Sequence, residues 1–325
     1  MIVSRRKFTA GVGASALLGG VAANVALAED YPSRDIHLIC GFPAGTGADL
    51  IVRFYAQKLR ALSGRTTVVD NKLGAQSNIA TEFVARSKPD GYTLYPYTGT
   101  TVAMTYHLLK NPPFDPGKDL QVAATTSRLG FMLVVDADSP YQRVADLTAA
   151  MKKKGADASY ATVANPGTVM AALYKNATGV EAVEVSYKNP ADSLNELRIG
   201  KLDFAVHDPF FSLGQQREGR LRILAIGTSQ RLSAVPDIPT MKEAGVPIDL
   251  DLWWGVMLPA ATPRPIIDQI NAWFKDINAA DDTKKFLALS GSDPLTRSPD
   301  ESQEMFKKAL VEWGDYVRIA KLPRI

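Results

Sequence analysis

The chain has one cysteine, Cys40, and three histidines, His37, His107 and His207, in 325 residues. A single cysteine excludes any intramolecular disulfide, and its place in the apolar run "LIC" marks it as a small core residue rather than a reactive thiol. The histidines are far apart and lack metal-ligand spacing, so no metal is expected, and no cofactor. After the N-terminal segment no apolar run approaches the ~18 residues a membrane span needs. Heptads, tandem repeats and low-complexity tracts are missing too. So is a Gly-x-Ser-x-Gly elbow, and so is the Gly-Lys-Ser/Thr that a phosphate-binding P-loop requires.

What is present begins with an export signal. Residues 1–28 carry a charged start, a Gly/Ala-rich middle and Ala26-Leu27-Ala28, a small-residue cleavage site. Arg5-Arg6 followed by Phe8 resembles a twin-arginine signal, with the general secretory route as the alternative. Either route places the mature protein in the periplasm. Residues 1–28 hold three of the 37 basic residues and none of the 34 acidic ones, so cleavage leaves 297 residues of balanced charge. That balance implies no nucleic-acid surface, and 297 residues are enough for two cored domains. Lys152-Lys153-Lys154 before Gly155 reads as a solvated helix end.

Strand and helix patterns alternate almost throughout, the mark of an α/β protein with parallel sheets. "IHLIC", "TTVVD" and "YTLYPY" read as strands of a first set; "FMLVV", "ASYATV", "AVEVSY", "DFAVH" and "LRILAIG" form a second. The helix after the first strand places Leu50, Ile51, Phe54, Leu59 and Leu62 at helical spacing and ends at Gly64. Small residues recur at three strand–loop–helix junctions, around residues 45–48, 74–78 and 165–168. In open α/β sheets ligands bind where such loops converge, and helix N-termini favour an anion there. None of the three junctions is basic. Neutral donors of this kind fit reversible carboxylate binding better than chemistry on it.

The segments "RDIHLICGFPAGTGADLIVR", "VVDNKLGAQSNIATEFVARSKPDGYTL", "FDPGKDL", "VEVSYKNPADSLNELRIGKLDFAV", "LRILAIGTSQRLSAVPDIPTMKEAGVP" and "WWGVMLPAATPRPIIDQIN" run through nearly all of the mature chain. Together they resemble the tripartite tricarboxylate transporter receptor, or Bug, family of periplasmic solute-binding proteins. The resemblance implies an α/β two-domain periplasmic-binding-protein fold (type II-like) with the ligand cleft between domains. Domain 1 would comprise residues 29–129 plus 251–325, and domain 2 residues 130–250. It also implies a small carboxylate ligand (a di- or tricarboxylate, acidic amino acid or aromatic acid), a monomer, and delivery to membrane transporter subunits or a sensor.

Carried over by position, the first loop supplies Phe42, Ala44, Gly45, Thr46, Gly47, Ala48 and Asp49. The second supplies Gly74, Ala75, Gln76, Ser77 and Asn78, and the third Thr98, Gly99, Thr100 and Thr101. Domain 2 supplies Asn165, Pro166, Gly167, Thr168, Tyr187 and Asp208. Asp49 is open between a ligand contact and a first-turn acid that complements its helix dipole. Tyr187 is open between ligand contact and packing at the cleft edge, and Trp253 and Trp254 read as core and hinge packing. The sequence departs from the family pattern at Thr46, Gln76, Ser77, Thr168, Asn189-Pro190 and the run "VHDP", and the changes at Thr46, Gln76 and Ser77 add hydrogen-bonding side chains. Thr46, Ser77 and Thr168 are expected to face the cleft. An enzyme on the same scaffold is the rival, with Asp49, Asp208, His207 or Tyr187 as its only candidates.

Overall fold

Helix starts and stops follow local chemistry in this computed structural model, which describes residues 31–187 and 189–324. The expected signal, residues 1–28, lies outside these. The first half comprises β1 (Ile36–Cys40), α1 (Gly47–Ser63), β2 (Thr67–Asn71), α2 (Asn78–Ala85), β3 (Thr93–Thr98), α3 (Gly99–Leu108), α4 (Pro116–Asp119) and β4 (Leu120–Leu129). Next come β5 (Met132–Asp136), α5 (Val144–Lys154), β6 (Ser159–Thr162), α6 (Asn165–Thr178), β7 (Val183–Ser186), α7 (Pro190–Arg198), β8 (Phe204–His207), α8 (Pro209–Arg217) and β9 (Leu221–Ile226). The chain ends with β10 (Leu252–Pro259), α9 (Arg264–Ala279), α10 (Asp281–Leu289), β11 (Asp293–Pro294) and α11 (Pro299–Ile319).

Two sheets make the cores of a two-domain α/β fold. One has the order β11-β4-β10-β3-β1-β2 and the other β7-β6-β8-β5-β9. β1 pairs in parallel with β2 and β3, and β6 with β7 and β8, as the alternating pattern predicts. The sheets are nevertheless mixed. β10 runs antiparallel to β3 and β4, and β5 antiparallel to β8 and β9. β5 follows β4 after only two residues and β10 follows the last strand of the other sheet. Both therefore enter from the neighbouring sheet rather than through a βαβ crossover, which is what makes strands parallel.

α1 shows how local and tertiary terms divide. Thr46 caps its N-terminus, accepting from Asp49 N–H at 3.3 Å, and Gly64 ends it in the left-handed conformation. The face it buries is Val52, Tyr55, Ala56 and Leu59. This corrects the sequence expectation, because Leu50 and Leu62 are exposed. α11 opens with a reciprocal capping box between Ser298 and Glu301. Its Ala309, Trp313 and Val317 join Ala103, Met104 and Leu108 of α3 in one apolar cluster with Leu133, Tyr174 and Phe204 of the second domain. On this side the two sheets share a continuous core.

Candidate functional site

The loop between β1 and α1 is held by Asp49. Its buried carboxylate accepts from Gly45 N–H at 2.9 Å, Arg53 Nε at 2.8 Å and Asn71 Nδ2 at 2.8 Å. Burial alone would raise this carboxyl, but the three hydrogen bonds and the Arg53 charge outweigh it and hold it well below the usual carboxylate range. Asn71 Nδ2 also donates to Phe42 O, so one cluster fixes both ends of the loop. Asp49 is thus committed to its own loop and helix.

The second loop is strained. Ala75, Gln76 and Ser77 have φ of 46°, 53° and 69°, three consecutive non-glycine residues in the left-handed region. Ser77 Oγ donates to Gly41 O at 2.9 Å, tying this loop to the first. The approach needs a glycine there, since a Cβ on Gly41 would lie 2.7 Å from Ser77 Cβ and Oγ. Asn78 Nδ2 donates to Ala75 O, while Asn78 Oδ1 is buried without a protein partner. Across from this loop, Asn165 Nδ2 at the start of α6 donates to Gln76 Oε1 at 3.4 Å. A loop of each sheet therefore meets one of the other.

At the third junction Thr98 Oγ1 and Thr100 Oγ1 are buried without protein partners. α3 begins against β10 so closely that a Cβ on Gly99 would sit 2.0 Å from Trp253 Cη2. Thr100 lines a polar cavity of about 390 Å³ with Trp253, Ser229, Asp251 and Arg297.

Trp254 occupies the opposite face of β10, because successive strand residues point to opposite sides. It forms an aromatic wall with Phe42 and Tyr97, with Phe42–Tyr97 centroids 4.9 Å apart and Phe42–Trp254 5.8 Å apart. Trp254 also lines a second cavity, of about 480 Å³, with Gly47, Ala48, Leu50 and Ile51 of α1 and with Asp208, Pro209 and Phe210 of the second domain. Leu129, Phe286, Leu289, Ser290 and Ser292 complete it. Asp208 is the one ionisable group in that lining. Its Oδ1 caps α8, accepting from Phe211 N–H at 3.0 Å, and burial raises its carboxyl above the usual value.

The structure brings Gly47, Ala48 and Asp208 to one cavity and Gln76 to Asn165, and it gives other expected side chains protein partners. Thr168 Oγ1 donates to Glu184 at 2.8 Å and pairs with Thr162, Ser77 is buried against Gly41, and Thr46 is an exposed helix cap. Tyr187 donates to Glu196 at 2.6 Å. The sequence reads Trp254 as core and hinge packing and Leu50 only as a position on the first helix, and the structure places both in the cavity lining, with Phe210. The signal for Trp254 was present in the two-residue period of β10, whereas Phe286 and Leu289 sit on α10, which no sequence pattern had marked.

His207 and Ser193 make the one serine–histidine pair seen among the described residues, at 3.0 Å and fully buried. Ser193 Oγ donates to Pro190 O at 2.7 Å, so the ring nitrogen donates to the hydroxyl and does not accept its proton. Burial lowers the His207 pKa to about 4. This pair supplies no activated nucleophile. Among the described residues no group of histidine, cysteine or carboxylate side chains is arranged to hold a metal ion, and no helix is long and apolar enough to cross a membrane.

The family model described as "Tripartite tricarboxylate transporter family receptor" matches residues 51–322. Protein BugT of Bordetella pertussis is 27% identical over 303 residues, covering 92% of this chain and 93% of its own. Among solved structures, an R. palustris protein, Rpa4515, solved with adipate is 28% identical with a TM-score of 0.76, covering 90% of this chain and 99% of its own. The periplasmic binding protein BugD is 25% identical with a TM-score of 0.72, over 90% of this chain and 99% of that one.

Proposed function

The chain belongs to the tripartite tricarboxylate transporter receptor family, and from that premise we propose that it is a periplasmic receptor that captures a small carboxylate between its two domains. It delivers the ligand to membrane transporter subunits or to a sensor. Residues 29–129 with 251–325 form one lobe and 130–250 the other.

The observation that carries this reading is the meeting of the two lobes' loops. Gln76 and Asn165 touch across the opening, and the first turns of α1 and α8 flank one cavity. The first-turn N–H groups of Gly47 and Ala48 on α1 favour an anion, each contributing about 0.3–1 kcal/mol, whereas those of α8 are taken by its own Asp208. The absence of a cation from the cavity lining fits a ligand that is gripped by neutral donors and then released. Closure on the ligand selects the state in which both lobes touch it. The adipate bound by the R. palustris protein is in keeping with a carboxylate ligand here.

Thermal unfolding of the mature protein tests this, using a panel of carboxylates each paired with its primary amide. A ligand at 100 times its dissociation constant adds about 2.7 kcal/mol of stability and raises the midpoint. A rise with an acid but not its amide is the expected result. Equal shifts for both, or none, would refute it.

A further inference from the structure

We propose that the site selects a monocarboxylate with an uncharged, apolar body over di- and tricarboxylates, with the body seated in the cavity beside Trp254. This rests on the receptor reading above. The cavity is built for such a body: Trp254, Phe210, Phe286, Leu50 and Ile51 present carbon to about 480 Å³, the size of a small ring or a short alkyl chain with room to spare. Leu50, Phe210 and Leu289 remain substantially exposed at 54%, 66% and 63%, an unusual concentration of apolar side chains on one rim. An apolar ligand covers them and removes that surface from water.

Charge points the same way. A second carboxylate in this cavity would meet no cation. It would instead meet Asp208, the one ionisable group in that lining. The nearest guanidinium on α1, Arg53, is already engaged by Asp49 and Asn71. Two like charges in a site of low polarity repel strongly. A hydroxyl or amide on the body is tolerated, because it can donate to Asp208. The ligand's acid group is thereby assigned to the loop donors and its body to the cavity.

Isothermal titration of the mature protein with hexanoate, 3-phenylpropionate, adipate, succinate and acetate, and with hexanamide as the uncharged control, decides the matter. The apolar monoacids should bind on the order of a hundredfold tighter than acetate, from the apolar area they bury. They should also bind at least about tenfold tighter than adipate, which has the same chain length as hexanoate and one more charge. Asp208→Asn keeps a good helix cap while removing the charge, so its adipate affinity should rise roughly tenfold and narrow the gap. Adipate or succinate binding as tightly as hexanoate would overturn the selectivity and leave the receptor reading intact. Adipate affinity unchanged in a folded Asp208→Asn protein would overturn the role given to Asp208. Binding of hexanamide equal to hexanoate, or no binding by any acid, would overturn the receptor reading and this inference with it.

Discussion

Gln76 accepts a hydrogen bond from Asn165 while its own backbone stays in the left-handed region, at φ 53°. A side chain from the second domain thus meets a strained turn of the first. Gln76→Gly should relieve the turn, leaving stability unchanged or raised by up to about 1 kcal/mol. Asn165→Ala should leave stability within about 0.5 kcal/mol, because the contact is exposed. Both should weaken carboxylate binding severalfold. Urea denaturation and titration on the same variants check this; a Gln76→Gly protein that is clearly less stable would contradict the strain assignment.

His207 ties stability to pH. Burial lowers its pKa from 6.5 to about 4, so the folded state holds the ring neutral where the unfolded chain protonates it. The sign follows: the unfolded state binds more protons between those values, so stability is full above pH 6.5 and falls as pH drops toward 4. The maximum loss is about 3 kcal/mol. Unfolding free energy measured from pH 7.5 to 4.5 should show this slope, and His207→Gln should flatten it by close to one proton. An equal slope in both proteins would remove His207 as its source.

Trp254 borders the cavity while Trp253 plugs the other face of β10. Ligand addition should therefore change intrinsic fluorescence through Trp254, one of four tryptophans in the chain. Trp254→Phe should abolish most of the change and cost about 1–2 kcal/mol of stability. A full response surviving in Trp254→Phe would place the ligand elsewhere.

Asp49 separates a structural acid from a ligand contact. Asp49→Asn weakens a charge-assisted network that includes Gly45, Arg53 and Asn71, and should cost about 2 kcal/mol. Its folded-state pKa is lowered, so its contribution is present above the unfolded value and is lost as acid protonates the folded carboxyl. Chemical denaturation at pH 7 against pH 3 should show the wild-type advantage shrinking. A variant as stable as wild type but unable to bind would reverse the assignment.

Gly99 fixes how closely α3 approaches β10. Gly99→Ala drives a Cβ into the Trp253 ring and should destabilise the protein by about 1–3 kcal/mol. Urea denaturation measures it, and an unchanged midpoint would show that the ring can move aside.

The elements legible in the sequence were those whose local chemistry and burial agree. β1, with its apolar run, and α5, ending in Lys152, Lys153 and Lys154 before Gly155, are of this kind. Those not legible had patterns overridden by tertiary context. β4 reads "LQVAATTSRL", polar enough to pass for a loop, yet Thr125, Thr126 and Ser127 are buried between β10 and β11. α3 is buried on nearly every side, so it carries no amphipathic period to detect. α10 is short and has an exposed Leu289.

The candidate site divides along the same line. Its loops were visible because glycine and small residues at strand ends are a local requirement of sharp turns, and such turns leave the same mark wherever the chain goes afterwards. Family membership was equally legible, since it is written along the whole chain. Which hydroxyls remain free was not. Thr168 is claimed by Glu184 and Tyr187 by Glu196, pairings set by how β7 and α7 pack. The apolar cavity was hidden for the same reason: α1, α8, α10 and Trp254 contribute to it from four places in the chain, and only their packing brings Leu50, Asp208, Phe286 and Trp254 to one wall. The sequence by itself determined strand ends, turns and helix caps, which depend on neighbours along the chain. The tertiary structure decided the partners of each polar group and the shape of the cavity, because burial and hydrogen bonding across long separations depend on neighbours in space.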